Sequence, residues 1–394
     1  MLAVFSFRYD INGKTKNREF CYRLMLVVFV LVSGLRWRIG IDTPAYCYSF
    51  YHEYPTLSEF SWRDYPVGED PFFVLINSFV KTFGGRFYVV QIIHATIINV
   101  LIFHYIKKHS ELIFTCLFFY AITCYTTYNM EIMRGSLSIV ICLYANDFIL
   151  DKKWIKGYLL YSLALMFHAQ TIVLLVLPIL YFLRFNKLGL VVFILSFFLG
   201  IILMRLLNDF LFLFEASDSV SDKISGYSTS DMYGGQGGNI NFYIVTIFPL
   251  LFYAVTSFIY VKYQNPSSSL LKFEPLIVIG VIFILIRMNL EIAYRYVDYY
   301  KLYFVLFFSE FYVGLIKKAC LLTKSVALFR SCIVFVPYIL FFLVYYYVLS
   351  DDYSLRYNPY SSVIDRTICN KRELMYKRLN AEKMFYPNAN VNEY

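Results

Sequence analysis

Charge is scarce in this chain. Asp, Glu, Lys and Arg make up 16 % of its 394 residues against 59 % apolar residues, a balance that does not suit a soluble domain. No cysteine pair has the spacing of a zinc site: the eight cysteines are scattered, with Cys116, Cys124 and Cys142 within or beside apolar runs. A small hydrophobe is the ordinary role for Cys in such a segment, so no disulfide framework is implied. No clustered Asp/His set recommends a metal, and no cofactor is expected. Gly234-Gly235-Gln236-Gly237-Gly238 lacks the Lys-Ser/Thr ending and the strand-to-helix setting of a phosphate loop, which leaves flexibility as its reading. No signal-peptide cleavage site follows the first apolar segment, which is therefore expected to remain as an anchor. The net charge of +9 is distributed over short linkers, where it bears on topology and anionic lipid, not on nucleic acid.

What fills the chain is Leu, Ile, Val, Phe and Tyr in stretches of helix-spanning length. The expected fold is an all-α polytopic integral membrane bundle of about 9–12 membrane segments, short or broken helices included. The first crossing is Cys21 to Leu35, preceded by Lys14, Lys16, Arg18 and Arg23, which puts the N-terminus in the cytoplasm. Further segments lie near 87–106, 111–128, 131–150, 188–206, 240–260, 274–290, 301–316 and 326–349. Base clusters such as Lys107/Lys108, Lys152/Lys153/Lys156 and Lys317/Lys318/Lys324 all fall on the side this scheme makes cytoplasmic. One polytopic domain is expected over 1–350, with exterior loops near 36–70 and 207–239 and a polar tail over 351–394 placed outside.

Two regions resist simple crossing. Pro71 to Phe83 is too short for a perpendicular span and ends at Gly84-Gly85, which suits a half-helix entering from outside. Tyr158 to Leu183 is too long for one span and starts and ends beside cytoplasmic base clusters, so two short helices turning near Phe167-His168-Ala169-Gln170 are expected. One long tilted helix is the alternative in each case.

Arginines concentrate at the edges of the apolar runs, and guanidinium groups beside lipid face water, a polar cavity or an anion. Arg36 and Arg38 follow the first span at the expected exterior water boundary, where two forks suit a diphosphate. Asp42 suits the orientation of one of them, or proton removal from an incoming hydroxyl. Arg134 opens another span, with Glu131 three residues earlier as its expected counter-charge. Arg287, Glu291 and Arg295 stand at four-residue steps, on one face if the helix continues. Tyr46, Tyr48 and Tyr51 suit stacking on sugar rings, and interfacial anchoring equally.

Several weak motifs in order carry a resemblance: Arg36-x-Arg38-x-Gly40-x-Asp42 with Tyr46, Glu69-Asp70-Pro71-Phe72-Phe73, Met133-Arg134, Phe167-His168, Arg295-Tyr296 and Tyr357-Asn358-Pro359-Tyr360. Over about residues 20–360 the chain resembles the EpsG-like family of bacterial exopolysaccharide polymerases, related in function to the Wzy O-antigen polymerases. It departs from that family's pattern at Gly135 and Ser136, where the family usually follows its arginine with Gln. The resemblance implies a multi-pass protein of the bacterial cytoplasmic membrane. It would join polyprenyl-diphosphate-linked oligosaccharide repeats into exopolysaccharide or capsule on the outer face, releasing polyprenyl (undecaprenyl) diphosphate. Arg38, Arg134 and Arg295 are then expected at the diphosphate and Asp42 as base. Arg36, Glu69, His168, Arg287 and Tyr46 complete the expected substrate-binding set, Glu69 and His168 as alternative bases or their supports. A flippase for the same lipid and an O-antigen-type glycan ligase are the alternatives. Membrane lipid, a chain-length regulator and a flippase are the expected partners.

Overall fold

The computed structural model describes residues 1–40, 42–213, 254–255, 268–287, 293–322, 356–369 and 371–383. Among the described residues the structure is almost entirely helical, and the single backbone pairing of β type is an antiparallel bridge between Arg36 and Ser362. The helices in chain order are α1 (Leu2–Phe5, continued by a wider turn over Ser6–Ile11), α2 (Arg18–Gly34), α3 (Thr43–His52), α4 (Pro71–Thr82), α5 (Phe87–His109), α6 (Ile113–Thr123) and α7 (Met133–Leu150). They continue with α8 (Trp154–Phe167), α9 (Lys187–Leu213), α10 (Ser268–Ile286), α11 (Tyr294–Asp298), α12 (Lys301–Leu322), α13 (Val363–Thr367) and α14 (Arg372–Lys383). Two of them, α5 and α7, are long and apolar enough to cross a membrane by length and composition.

The chain forms two compact units, Met1–Val176 with Phe308–Tyr394, and Leu177–Phe307. In the first, α5 runs antiparallel to α2 and parallel to α7, so their charged termini gather at two ends. At one end Lys107 meets Glu19 at 2.8 Å, and Asp147 receives Lys108 and His109, each at 2.7 Å. Lys107, Lys108 and His109 occupy the last turn of α5, where cations complement the helix dipole. Between the ends several polar side chains pair across helices. Asn99 donates to Asn129 at 2.7 Å, Asn129 donates to the Tyr120 hydroxyl at 2.9 Å, and His94 meets Ser136 at 2.8 Å. At the opposite end lie the end of α2, the starts of α4, α5 and α7, and the end of α8.

The C-terminal segment is stitched onto that second end. Trp37 N–H donates to the Ser361 carbonyl at 2.9 Å, Val363 N–H to Leu35 at 2.8 Å and Gly40 N–H to Arg356 at 3.2 Å. Arg378, buried, donates through Nε to the Arg38 carbonyl at 2.6 Å. Residues 356–383 are thus part of the first unit, not a free tail.

Both irregular regions break at the expected places. α4 starts at Pro71, whose fixed φ suits a first helical position, and ends before Gly84 at φ +71°. α8 stops at Phe167, His168 is extended at φ −158°, and short 3₁₀ turns follow over Ala169–Leu175 and Leu177–Leu180. The single span near 111–128 is corrected: α6 closes at Thr123, and Thr127–Glu131 forms a separate wide turn before α7. In the second unit α9 and α10 pack together, and Glu274 accepts from Phe185 N–H at 2.8 Å and pairs with Arg184 at 3.3 Å. The expected crossings near 240–260 and 326–349 lie outside the described residues, apart from 254–255.

Candidate functional site

Asp70 is the centre of the most concentrated chemistry in the first unit. It is the residue before α4, at φ +53°, and it is buried. That backbone turn aims its carboxylate away from α4 toward the start of α7 and the break after α8. One oxygen receives Arg134 Nη1 at 2.9 Å and lies 3.5 Å from His168 Nδ1. The other accepts the Ala169 N–H at 3.0 Å. This donor is available because the helix has ended at Phe167 and the backbone there is not committed to an i→i−4 bond. His168 Nε2 lies 3.1 Å from Gln170 Oε1. The Arg134 guanidinium sits over the Tyr46 ring at 5.6 Å, a cation–π contact that fixes its direction. Asp70 is nearly sealed at 5 % side-chain exposure, whereas Arg134 keeps 40 % and His168 20 %. A buried carboxylate therefore holds a partly open cation and a partly open imidazole side by side.

A second feature lies at the same end. A cavity of about 370 Å³ is bounded by the Trp37–Arg38 turn, by Thr43, Cys47 and Tyr51 of α3, by the start of α5 and by α13. Thr43, Cys47 and Tyr51 stand at four-residue steps and so share one face of α3. Arg38, Arg86 and Arg366 all line this space, and its lining contains no Asp or Glu. Arg38 and Arg366 each lie over the Trp37 ring, at 5.7 and 5.6 Å. Burial, with repulsion from Arg86 and Arg38, holds the Arg366 guanidinium below its ordinary value.

The sequence expectations fare unevenly. Arg36 and Arg38 do not sit at a water boundary: Arg36 is wholly buried and Arg38 is 4 % exposed. Arg36 is spent on the chain itself, donating to the carbonyls of Ser33 at 2.5 Å and Ile39 at 3.3 Å. Glu131 is not the counter-charge of Arg134; it accepts from the Tyr357 hydroxyl at 2.6 Å and pairs with Arg356 at 3.5 Å. Tyr46 is buried against Phe73 and under Arg134, so it offers no open face to a sugar, whereas Tyr48 and Tyr51 are exposed. Asp42 precedes α3 without capping it and is half-buried, and Glu69 is exposed beside the buried Asp70. Arg287 lies past the end of α10 and Arg295 belongs to the separate α11, so one continuous helical face does not join them. Each packs against Tyr294, at 5.8 and 6.0 Å, within the second unit, and Glu291 lies outside the described residues. Asp70, Arg86 and Arg366 are the residues that sequence reasoning left without a role. Asp70 carried a signal, since an acid directly before a helix-opening proline marks a helix start.

Among the described residues no group of three or more His, Cys, Asp or Glu is placed to hold a metal ion. Compared with known proteins, residues 19–362 match a family model described as the EpsG family. No curated protein and no solved structure matches the chain.

Proposed function

The chain belongs to the EpsG family, and from that premise we propose that it polymerises lipid-linked oligosaccharide repeats by glycosyl transfer. Membership supports a membrane-associated, polymerase-like enzyme of polysaccharide biosynthesis acting on a lipid-linked glycan. The finer reading is a multi-pass protein of the cytoplasmic membrane working at its outer face on polyprenyl-diphosphate-linked units. The separation of the first unit into a Lys-rich end and an end carrying Asp70, Arg134 and His168 favours that orientation.

The observation that carries the mechanism is the Asp70 carboxylate shared by Arg134 and His168. In the proposed step a hydroxyl oxygen of the acceptor sugar forms a bond to the anomeric carbon of the donor chain. The bond from that carbon to the diphosphate oxygen breaks, and its electron pair leaves with polyprenyl diphosphate. Arg134 meets the negative charge that grows on the leaving oxygens. His168 takes the hydroxyl proton on Nε2 once the acceptor hydroxyl displaces the Gln170 Oε1 that faces it at 3.1 Å, and Asp70, 3.5 Å from Nδ1, stabilises the imidazolium that forms. Asp70 is then a positioning residue that sets both neighbours. Asp42, half-buried before α3, is the alternative base.

The test is elongation of a defined lipid-linked repeat by purified protein in liposomes. Wild-type protein is expected to give a ladder of longer glycans, and His168→Gln to slow it by about 10²–10⁴-fold. Asp70→Asn is expected to lower the rate and to shift its pH profile, which a merely structural loss would not do. A normal ladder from His168→Gln would remove it as the base. Translocation of the lipid without any elongation would replace the polymerase reading with a flippase.

A further inference from the structure

We propose that the cavity lined by Arg38, Arg86 and Arg366 is a second anion site, taking a lipid-borne phosphate or diphosphate group, with one of its three cations supplied by the C-terminal segment. The inference rests on the polymerase reading only for which lipid carries the group.

Three guanidinium groups reach this space from three separate stretches of chain: the turn after α2, the residue before α5, and α13. Bringing like charges together is unfavourable, and the cost shows in the effect of Arg86 and Arg38 on Arg366. The fold nevertheless holds them there deliberately. Trp37 stacks under two of the groups, and the Arg36–Ser362 bridge with the Val363-to-Leu35 bond fixes α13 against the turn. A dianion or trianion presenting several acceptor oxygens satisfies such a set, because planar guanidinium forks pair with phosphate oxygens two at a time. The volume, about 370 Å³, is at the lower end of small-ligand sites and suits a headgroup instead of a whole glycan. Thr43 and Tyr51 on the α3 wall add hydroxyl groups. This site is distinct from the Asp70 centre, whose arginine, Arg134, comes from α7 and does not line this cavity. A reaction that joins two lipid-linked molecules brings two such headgroups to the same face, so a second anion site has a use there.

The experiment uses the full chain in phosphatidylcholine nanodiscs, titrated with inorganic diphosphate by calorimetry. An Arg134→Gln background silences the Asp70 centre. Adding Arg366→Gln or Arg86→Gln is expected to weaken binding by about tenfold or more through loss of a charge-assisted fork. Affinity within about twofold of the Arg134→Gln parent would overturn the assignment. Should Arg366→Gln lose its cooperative thermal transition, Arg366→Lys keeps the charge. It is expected to weaken binding measurably while melting normally, and undiminished binding would again overturn the site. Farnesyl diphosphate and phosphatidylglycerol discs serve as competitors. Displacement by the former identifies a prenyl diphosphate as the source, by the latter a phospholipid headgroup, and either supports the site. If wild-type protein elongates nothing yet diphosphate binding depends on Arg366, the polymerase reading falls and the cavity stands. If it elongates normally and binding ignores Arg366 and Arg86, the cavity falls and the polymerase reading stands.

Discussion

Gly40 shows most directly how one residue holds the site end together. Its φ is +96°, and a Cβ at this position would overlap the carbonyl of Met130. The obstacle is backbone, which cannot rotate aside as a side chain does. Gly40→Ala is therefore expected to add backbone strain of about 1–3 kcal/mol and to lift the Trp37–Thr43 turn off the segment before α7. A lowered thermal midpoint in detergent, with elongation reduced, is the expected outcome; an unaltered melting curve would contradict it. The same turn explains why Arg36 and Arg38, two residues apart and alike in sequence, part company. Arg36 closes the end of α2 by donating to the Ser33 carbonyl, one of the acceptors a helix end leaves without a partner. Arg38, at φ +55°, turns into the cavity wall. No periodicity distinguishes them, because the difference lies in a left-handed turn and in Ser361–Val363, more than three hundred residues away.

At the scale of elements, the breaks that matter were readable where length alone demanded them. Pro71–Phe83 is too short and Tyr158–Leu183 too long, and both break where Pro, Gly and His interrupt the apolar run. The break after Thr123 was hidden, since Cys124–Tyr128 is as apolar and aromatic as a helix interior. What stabilises that wide turn is distant: Asn99 of α5 reaches Asn129, and Tyr125 donates to the Phe29 carbonyl at 2.6 Å. α13 offers a test at this scale. Ser362 and Asp365 form a reciprocal capping box, and Lys371 pairs with Asp365 at 2.8 Å. Ser362→Ala is expected to cost about 1 kcal/mol, read as faster proteolysis of residues 363–383 with α2–α7 intact. Lys371, then Ser362, hold the Asp365 carboxyl below its ordinary value. A depressed folded-state pKa contributes stability that is complete above the unfolded value of about 4 and is lost as pH falls through the lower folded value. Protection of this segment is thus expected to be flat from neutral pH down to mild acid and to drop only below that range. Loss beginning near neutral pH would point to another group.

For the whole molecule, the C-terminal segment decides topology in a way that can be measured. Residues 361–363 bond directly to residues 35–37, so this segment and the turn after α2 share one side of any membrane. Among the cysteines whose side chains the structure describes, Cys369 is exposed, while Cys21, Cys47, Cys116, Cys124 and Cys142 are buried. A membrane-impermeant maleimide is therefore expected to label Cys369 in intact cells and to lose that signal in Cys369→Ser protein. Labelling that needs permeabilised cells would put this end of the protein in the cytoplasm and reverse the orientation of the site. The sequence by itself determined the helical class, the opposite directions of α2 and α5, the shared direction of α5 and α7, the short helix at Pro71 and the turn at His168. These follow from hydropathy, segment length and local punctuation, all of which are properties of neighbouring residues. Which charges meet was decided only by the tertiary structure: Asp70 with Arg134 and His168 across sequence gaps of 64 and 98 residues, and Arg366 beside Arg38 and Arg86. Electrostatic pairing acts over a few ångströms of space without regard to sequence distance, so a one-dimensional pattern names the candidate charges but not their partners.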